Sequence, residues 1–126
     1  MFYLKWVSKM AAVKKSLIIE QYSTFKWRFS WQDKNGKAIN LTGYTAAMQV
    51  RESVASATVL LELSTANARI VITPAAGVVE LTLTDEQTGG LTFKSAVYDL
   101  VLTNASGEAT RLYEGKVTVS PGVTHV

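Results

Sequence analysis

Catalysis and metal binding both need reactive groups that a fold can bring together, and few such groups exist in this chain. The only histidine, His125, is the penultimate residue, where a chain end is expected to fray. A hydrolytic triad needs its base held beside the nucleophile. One imidazole without cysteine or a carboxylate cluster seldom makes a metal site. The expected role of His125 is a solvated tail. Cysteine is absent, which excludes a disulfide scaffold, a thiolate zinc site and a cysteine nucleophile. Asp85 and Glu86 form the only adjacent acidic pair, but neighbours in a helical turn do not face each other across a cleft as glycoside hydrolysis requires. Asp99 lies between Tyr98 and Leu100 in an apolar stretch, and the expectation is an outward carboxylate paired with a Lys or Arg of the adjacent strand. Gly89 and Gly90 are followed by no Gly-Lys-Ser/Thr, so they do not form a phosphate loop. No catalytic, cofactor-binding or metal-ligating residue is expected, and the chain is read as a non-enzyme.

The elements that would carry these groups are strands. Phe25, Trp27, Phe29 and Trp31 alternate with Lys26, Arg28, Ser30 and Gln32, the period of a half-buried strand, with the rings assigned to the core. Asp33 to Gly36 reads as a turn. Ile39 and Leu41 are predicted as a short returning strand, and Tyr44 to Glu52 as another. Upstream, Ser16 to Gln21 is β-branched and too short for a helix. Thr58 to Leu63, Arg69 to Thr73, and the alternation at Val79, Leu81 and Leu83 add three more. Thr84 is placed to cap a short helical turn over Asp85, Glu86 and Gln87, ended by Gly89 and Gly90. Ala96 to Thr103, a turn at Asn104 to Gly107, and Ala109 to Ser120 complete the chain before Pro121. The pattern predicts an all-β, immunoglobulin-like antiparallel β-sandwich of about eight short strands with at most one helical turn.

At 126 residues, 48% hydrophobic and 18% charged, the chain has the size and composition of one folded domain. Its net charge of +3 is spread beside acids such as Glu20, Asp33 and Glu52, apart from Lys5, Lys9, Lys14 and Lys15. That scatter argues against nucleic-acid binding, which needs cations gathered on one surface. No apolar run approaches the ~20 residues of a membrane span, and Lys5 interrupts the only segment that could begin a signal peptide. The expected division is an arm at residues 1–15 and a sandwich at 16–126. Met10, followed by Ala11 and Ala12, reads as a second start, which would make residues 1–9 an upstream extension.

Two blocks of sequence carry a family resemblance. The first runs from the aromatic strand ending at Trp31 through Asp33, Asn35-Gly36, Ile39, Leu41-Thr42-Gly43-Tyr44-Thr45 and Met48-Gln49-Val50-Arg51. The second is Val97-Tyr98-Asp99-Leu100, Asn104-Ala105-Ser106-Gly107, Thr110-Arg111-Leu112, Glu114-Gly115 and Val117 to Pro121. Together they resemble small virion proteins of tailed bacteriophages, with the layout of N-terminal domains of baseplate and receptor-binding-apparatus proteins, over about Lys15 to Thr124. The matching positions are turn and crossover residues: Gly36, Gly43 and Gly107 for tight turns, Leu41 and Tyr44 for the passage between sheets.

The resemblance implies a structural subunit of the virion, made in the host cytoplasm. Such a subunit would be an adaptor or fibre anchor bound to other virion proteins and to copies of itself in a symmetric assembly. Capsid decoration is the alternative. A carbohydrate-binding module is a third reading and would need Trp6, Trp27, Trp31 or Tyr113 exposed together. The expected assembly interface is the apolar cluster Phe2, Tyr3, Leu4, Trp6 and Val7, since contiguous apolar surface marks an interaction site.

Overall fold

A computed structural model describes residues 12–125. Nine strands and one short helix follow one another: β1 (Val13–Lys14), β2 (Leu17–Glu20), β3 (Phe25–Ser30), β4 (Thr45–Arg51), β5 (Leu61–Ser64), β6 (Ile70–Thr73), β7 (Val78–Leu83), α1 (Asp85–Gly89), β8 (Ser95–Thr103) and β9 (Ala109–Ser120). They form two sheets. The larger has the order β1-β9-β8-β4-β5 with β2 also on β9, and the smaller has the order β3-β7-β6. A six-stranded sheet and a three-stranded one, sharing one core, form a β-sandwich, and the all-β sandwich expectation holds.

Burial alternates along the strands as half-buried sheets require. In β4 Ala46, Met48 and Val50 face inward, and in β8 Ala96, Tyr98, Leu100 and Leu102 do so. These side chains meet Phe29, Val79, Leu81 and Leu83 of the smaller sheet in one continuous core. The aromatic strand points as expected, with Phe29 and Trp31 buried and Phe25 and Trp27 partly buried against the core. The exception to its alternation is Ser30, which is also buried and directs its hydroxyl at the Ala76 carbonyl, 3.4 Å away.

The structure departs from the predicted elements in three places. Ile39 and Leu41 do not form a strand: a single bridge joins Gln32 to Ala38, and Leu41 then turns inward, its amide donating to the Pro74 carbonyl at 3.0 Å. The reason is the crossover itself, which must leave the small sheet and cannot go on pairing with it. The fifth strand starts at Leu61 rather than at Thr58. The larger sheet is not wholly antiparallel, because β1 and β2 run parallel to β9. Residues Val13 and Lys14, within the expected arm, therefore belong to the sheet.

The helix is local chemistry. Thr84 accepts the Gln87 amide at 3.2 Å while the Gln87 side chain accepts the Thr84 amide at 2.8 Å, a reciprocal capping box that satisfies two otherwise unpaired donors. Gly90 closes the turn with its amide on Glu86.

Candidate functional site

One turn from each of the two resembling blocks meets the other at one end of the sandwich. Gly43 and Gly107 adopt φ of 82° and 89°, a region that suits glycine. A Cβ on Gly43 would lie 3.0 Å from the Ala105 side chain, so the turn after Leu41 is packed on the turn between β8 and β9. Leu41 is fully buried, the Tyr44 amide donates to its carbonyl at 3.0 Å, and the Tyr44 ring meets Trp31 edge-on at 6.0 Å. Asp33 and Asn104 play equivalent parts in two turns. Each side-chain oxygen accepts two backbone amides, from Asn35 and Lys37 in one case and from Ser106 and Glu108 in the other. These residues hold turns and a crossover in place.

The other singled-out residues are dispersed. Asp85 and Glu86 sit in the first turn of α1. His125 stacks on Tyr22 with ring centroids 3.7 Å apart, so this residue of the expected free tail is in contact with the domain. Gly89 lies against the same Tyr22 ring. No group of three or more His, Cys, Asp or Glu able to hold a metal ion occurs among the described residues. Trp31 and Tyr113 are each 2% exposed, and Trp27 stands edge-on to Tyr113 at 4.8 Å. These rings are core, not a sugar platform. Phe2, Tyr3, Leu4, Trp6 and Val7 lie outside the described residues.

A feature not anticipated from the sequence is the outer face of the larger sheet. Asp99 is paired as expected, with the Arg111 guanidinium at 3.3 Å. Arg111 also reaches Glu114 at 3.1 Å, and Lys14 reaches Glu114 at 2.8 Å. The two cations hydrogen-bonded to Glu114 hold its carboxyl below the usual range. Across the sheet, Gln49 donates to Glu62 at 2.9 Å and accepts from Arg51 at 2.7 Å. The surface dips into a groove of about 590 Å³, with Val97, Tyr98 and Asp99 among its lining residues, together with Lys14, Val54 and Lys116. Only the alternation of Asp99, Arg111, Glu114 and Lys116 with inward residues signalled this face, and their neighbours depend on register.

No protein-family model and no curated protein sequence matches the chain. Among solved structures it is similar to the N-terminal domain of phage TP901-1 ORF48, at 11% identity and a TM-score of 0.47, over 86% of this chain and 95% of that one. It is also similar to a chain in the crystal structure of ICOS in complex with ICOS-L and an anti ICOS-L VNAR domain. That likeness has 14% identity and a TM-score of 0.49, over 88% of this chain and 56% of the other. Identities this low and superpositions this loose carry no information about function.

Proposed function

We propose that this chain is a non-enzymatic structural subunit of a tailed-bacteriophage virion. It serves as an adaptor or fibre anchor of the tail or baseplate and assembles through contacts with other virion proteins and with copies of itself. The observation that supports this reading is the meeting of the two resembling blocks at Gly43 and Ala105. Two turns of the resembling pattern, far apart in sequence, pack on each other at one end of the sandwich. A recurring scaffold of this kind fits a part whose work is to present surfaces. Of the aromatic residues that a glycan-binding reading required, Trp31 and Tyr113 are buried in the core and Trp27 is partly buried against it.

The test is to locate the protein. Mass spectrometry of purified virions from the phage that encodes it, with antibody labelling of separated heads and tails, is expected to find it at the tail end. Disruption of its gene is expected to give particles lacking tail-tip or fibre components. Absence from purified particles, or intact infective particles without it, overturns the proposal. Label confined to the head shell overturns the tail assignment and supports capsid decoration.

A further inference from the structure

The strand register sorts the outer face of the larger sheet into charged rows. Lys116 of β9 lies opposite Val97 of β8, and Val97 lies opposite Arg51 of β4. Two residues along the strands, about 7 Å away, the next row runs Lys14, Glu114, Asp99, Gln49, Glu62. The row beyond that holds Arg111, Val101 and Ala47, with the bulge between Leu100 and Val101 bringing Arg111 onto this face.

Charge satisfaction within these rows is uneven. Arg111 and Lys14 are paired with the carboxylates of the middle row. Arg51 is held only by neutral acceptors, the Gln49 side chain and the Ser56 carbonyl at 2.8 Å. Neither Arg51 nor Lys116 forms a salt bridge among the described residues. An outward row of two cations that lack carboxylate partners thus borders a row of three carboxylates and Lys14, in which Glu114 and Asp99 are already paired with Lys14 and Arg111 and Glu62 is held by Gln49.

We infer that this face pairs with the same face of a second copy. A half-turn about an axis lying across the strands, midway between the two rows, lays each cationic row on the partner's acidic row. It preserves the strand order, so Lys116 faces the partner's Glu114, and Arg51 faces the partner's Gln49 and Glu62. Every contact occurs twice, as an isologous interface demands. Val97, between the two cations, lies over the partner's Asp99. The inference deepens the assembly reading above by naming one partner and the surface that receives it.

Sedimentation of the full chain over a range of concentrations tests it. The wild type is expected to form a dimer that weakens as salt rises, because exposed charges are screened. Lys116→Glu and Arg51→Glu are each expected to raise the dimer dissociation constant at least tenfold while the dissociated chain keeps its folded far-UV spectrum. Lys26→Glu, on the outer side of the smaller sheet, is expected to leave it unchanged. A chain that is monomeric at all concentrations overturns the inference. So does a dimer indifferent to Lys116→Glu and Arg51→Glu, or one weakened equally by Lys26→Glu. The two proposals fail separately. Presence in tails without dimerisation sinks only this one, while a charge-sensitive dimer absent from virions sinks only the virion reading.

Discussion

The Tyr98 hydroxyl donates a 2.7 Å hydrogen bond to the Lys15 carbonyl, tying the kink between β1 and β2 to β8, on the far side of β9 in the same sheet. Gly115 faces that kink, and any Cβ there would collide with the Lys15 carbonyl. Backbone pairing with β9 runs along this parallel edge, and between its two stretches one phenol and one missing side chain fix the path of the chain. Tyr98→Phe removes the bond and leaves the ring's packing, so it is expected to cost about 1 kcal/mol. Urea unfolding would show this as a lower midpoint with an unchanged slope. A Phe variant as stable as the wild type would mean the edge does not depend on this contact.

Two buried phenols make the domain sensitive to alkali. Burial pushes Tyr113 up to about 12 and raises Tyr98 well above its ordinary value, with Tyr113 and Glu114 adding repulsion at Tyr98. In the unfolded chain both titrate near the ordinary tyrosine value of about 10. Above that pH the unfolded state holds fewer protons than the folded one, so stability is complete below about pH 10 and falls as pH rises toward 12 and beyond. The steepest fall is about 1.4 kcal/mol per pH unit for each proton by which the states differ. Urea midpoints measured from pH 8 to 11.5 should decline, and the Tyr98→Phe variant should decline less. A flat profile would contradict the argument.

Phe29 and Trp27 occupy the same aromatic stripe but are enclosed to different degrees. Phe29 is 3% exposed and stands edge-on to Tyr113 at 5.0 Å. Trp27 is only partly buried, its outer side approached by the Lys15 ammonium at 5.8 Å from the ring centroid. Phe29→Ala is expected to cost about 3 to 5 kcal/mol, and Trp27→Ala less, because part of its ring already meets solvent. Chemical denaturation of both variants decides the order. Equal losses would show that Trp27 is more enclosed than its exposure indicates.

The features legible in the sequence are those that a few adjacent residues determine. The capping box from Thr84 to Gln87 needs only residues three apart, and the alternation from Phe25 to Trp31 identifies a face without reference to any partner. Pairing is different. Val13 to Glu20 lie parallel to Tyr113 to Ser120, some hundred residues away, and period two gives a strand's buried side but not its neighbour. The charged rows were hidden for the same reason. A one-residue bulge at Leu112, where the register passes from Leu100–Tyr113 to Val101–Arg111, decides whether Arg111 joins that face, and the adjacent apolar pair Leu112-Tyr113 breaks the alternation without saying which strand lies across the break. Ile39 and Leu41 misled because an inward side chain in a crossover has the same spacing as one in a strand.

The expected interface of Phe2, Tyr3, Leu4, Trp6 and Val7 is tested by deletion. Removing residues 1–9 leaves β1 and every strand after it intact in sequence, so the truncated chain is expected to fold. Its incorporation into particles is expected to fall, as aromatic anchors dominate interface energetics. Unchanged occupancy in virions, or natural chains beginning at or just after Met10, would remove the assigned role.

Gly36 and Gly43 separate backbone strain from packing. Both have positive φ, 79° and 82°, so a Cβ at either is expected to cost about 1 to 2 kcal/mol for the left-handed conformation alone. Around Gly36 a Cβ would find nothing within 4 Å, whereas at Gly43 it would meet the Ala105 Cβ at 3.0 Å. Gly43→Ala should therefore cost more than Gly36→Ala by whatever it takes to part the two turns. That excess belongs to a contact between two residues, so it should couple: Ala105→Gly made in the Gly43→Ala background should recover part of the loss, and made in the Gly36→Ala background should recover none. A double-mutant cycle isolates the term. If Gly43→Ala and Gly36→Ala cost the same and Ala105→Gly has the same effect in both backgrounds, the two turns are not pressed together. The packed end of the sandwich, on which the reading of the shared residues depends, would then lose its physical basis.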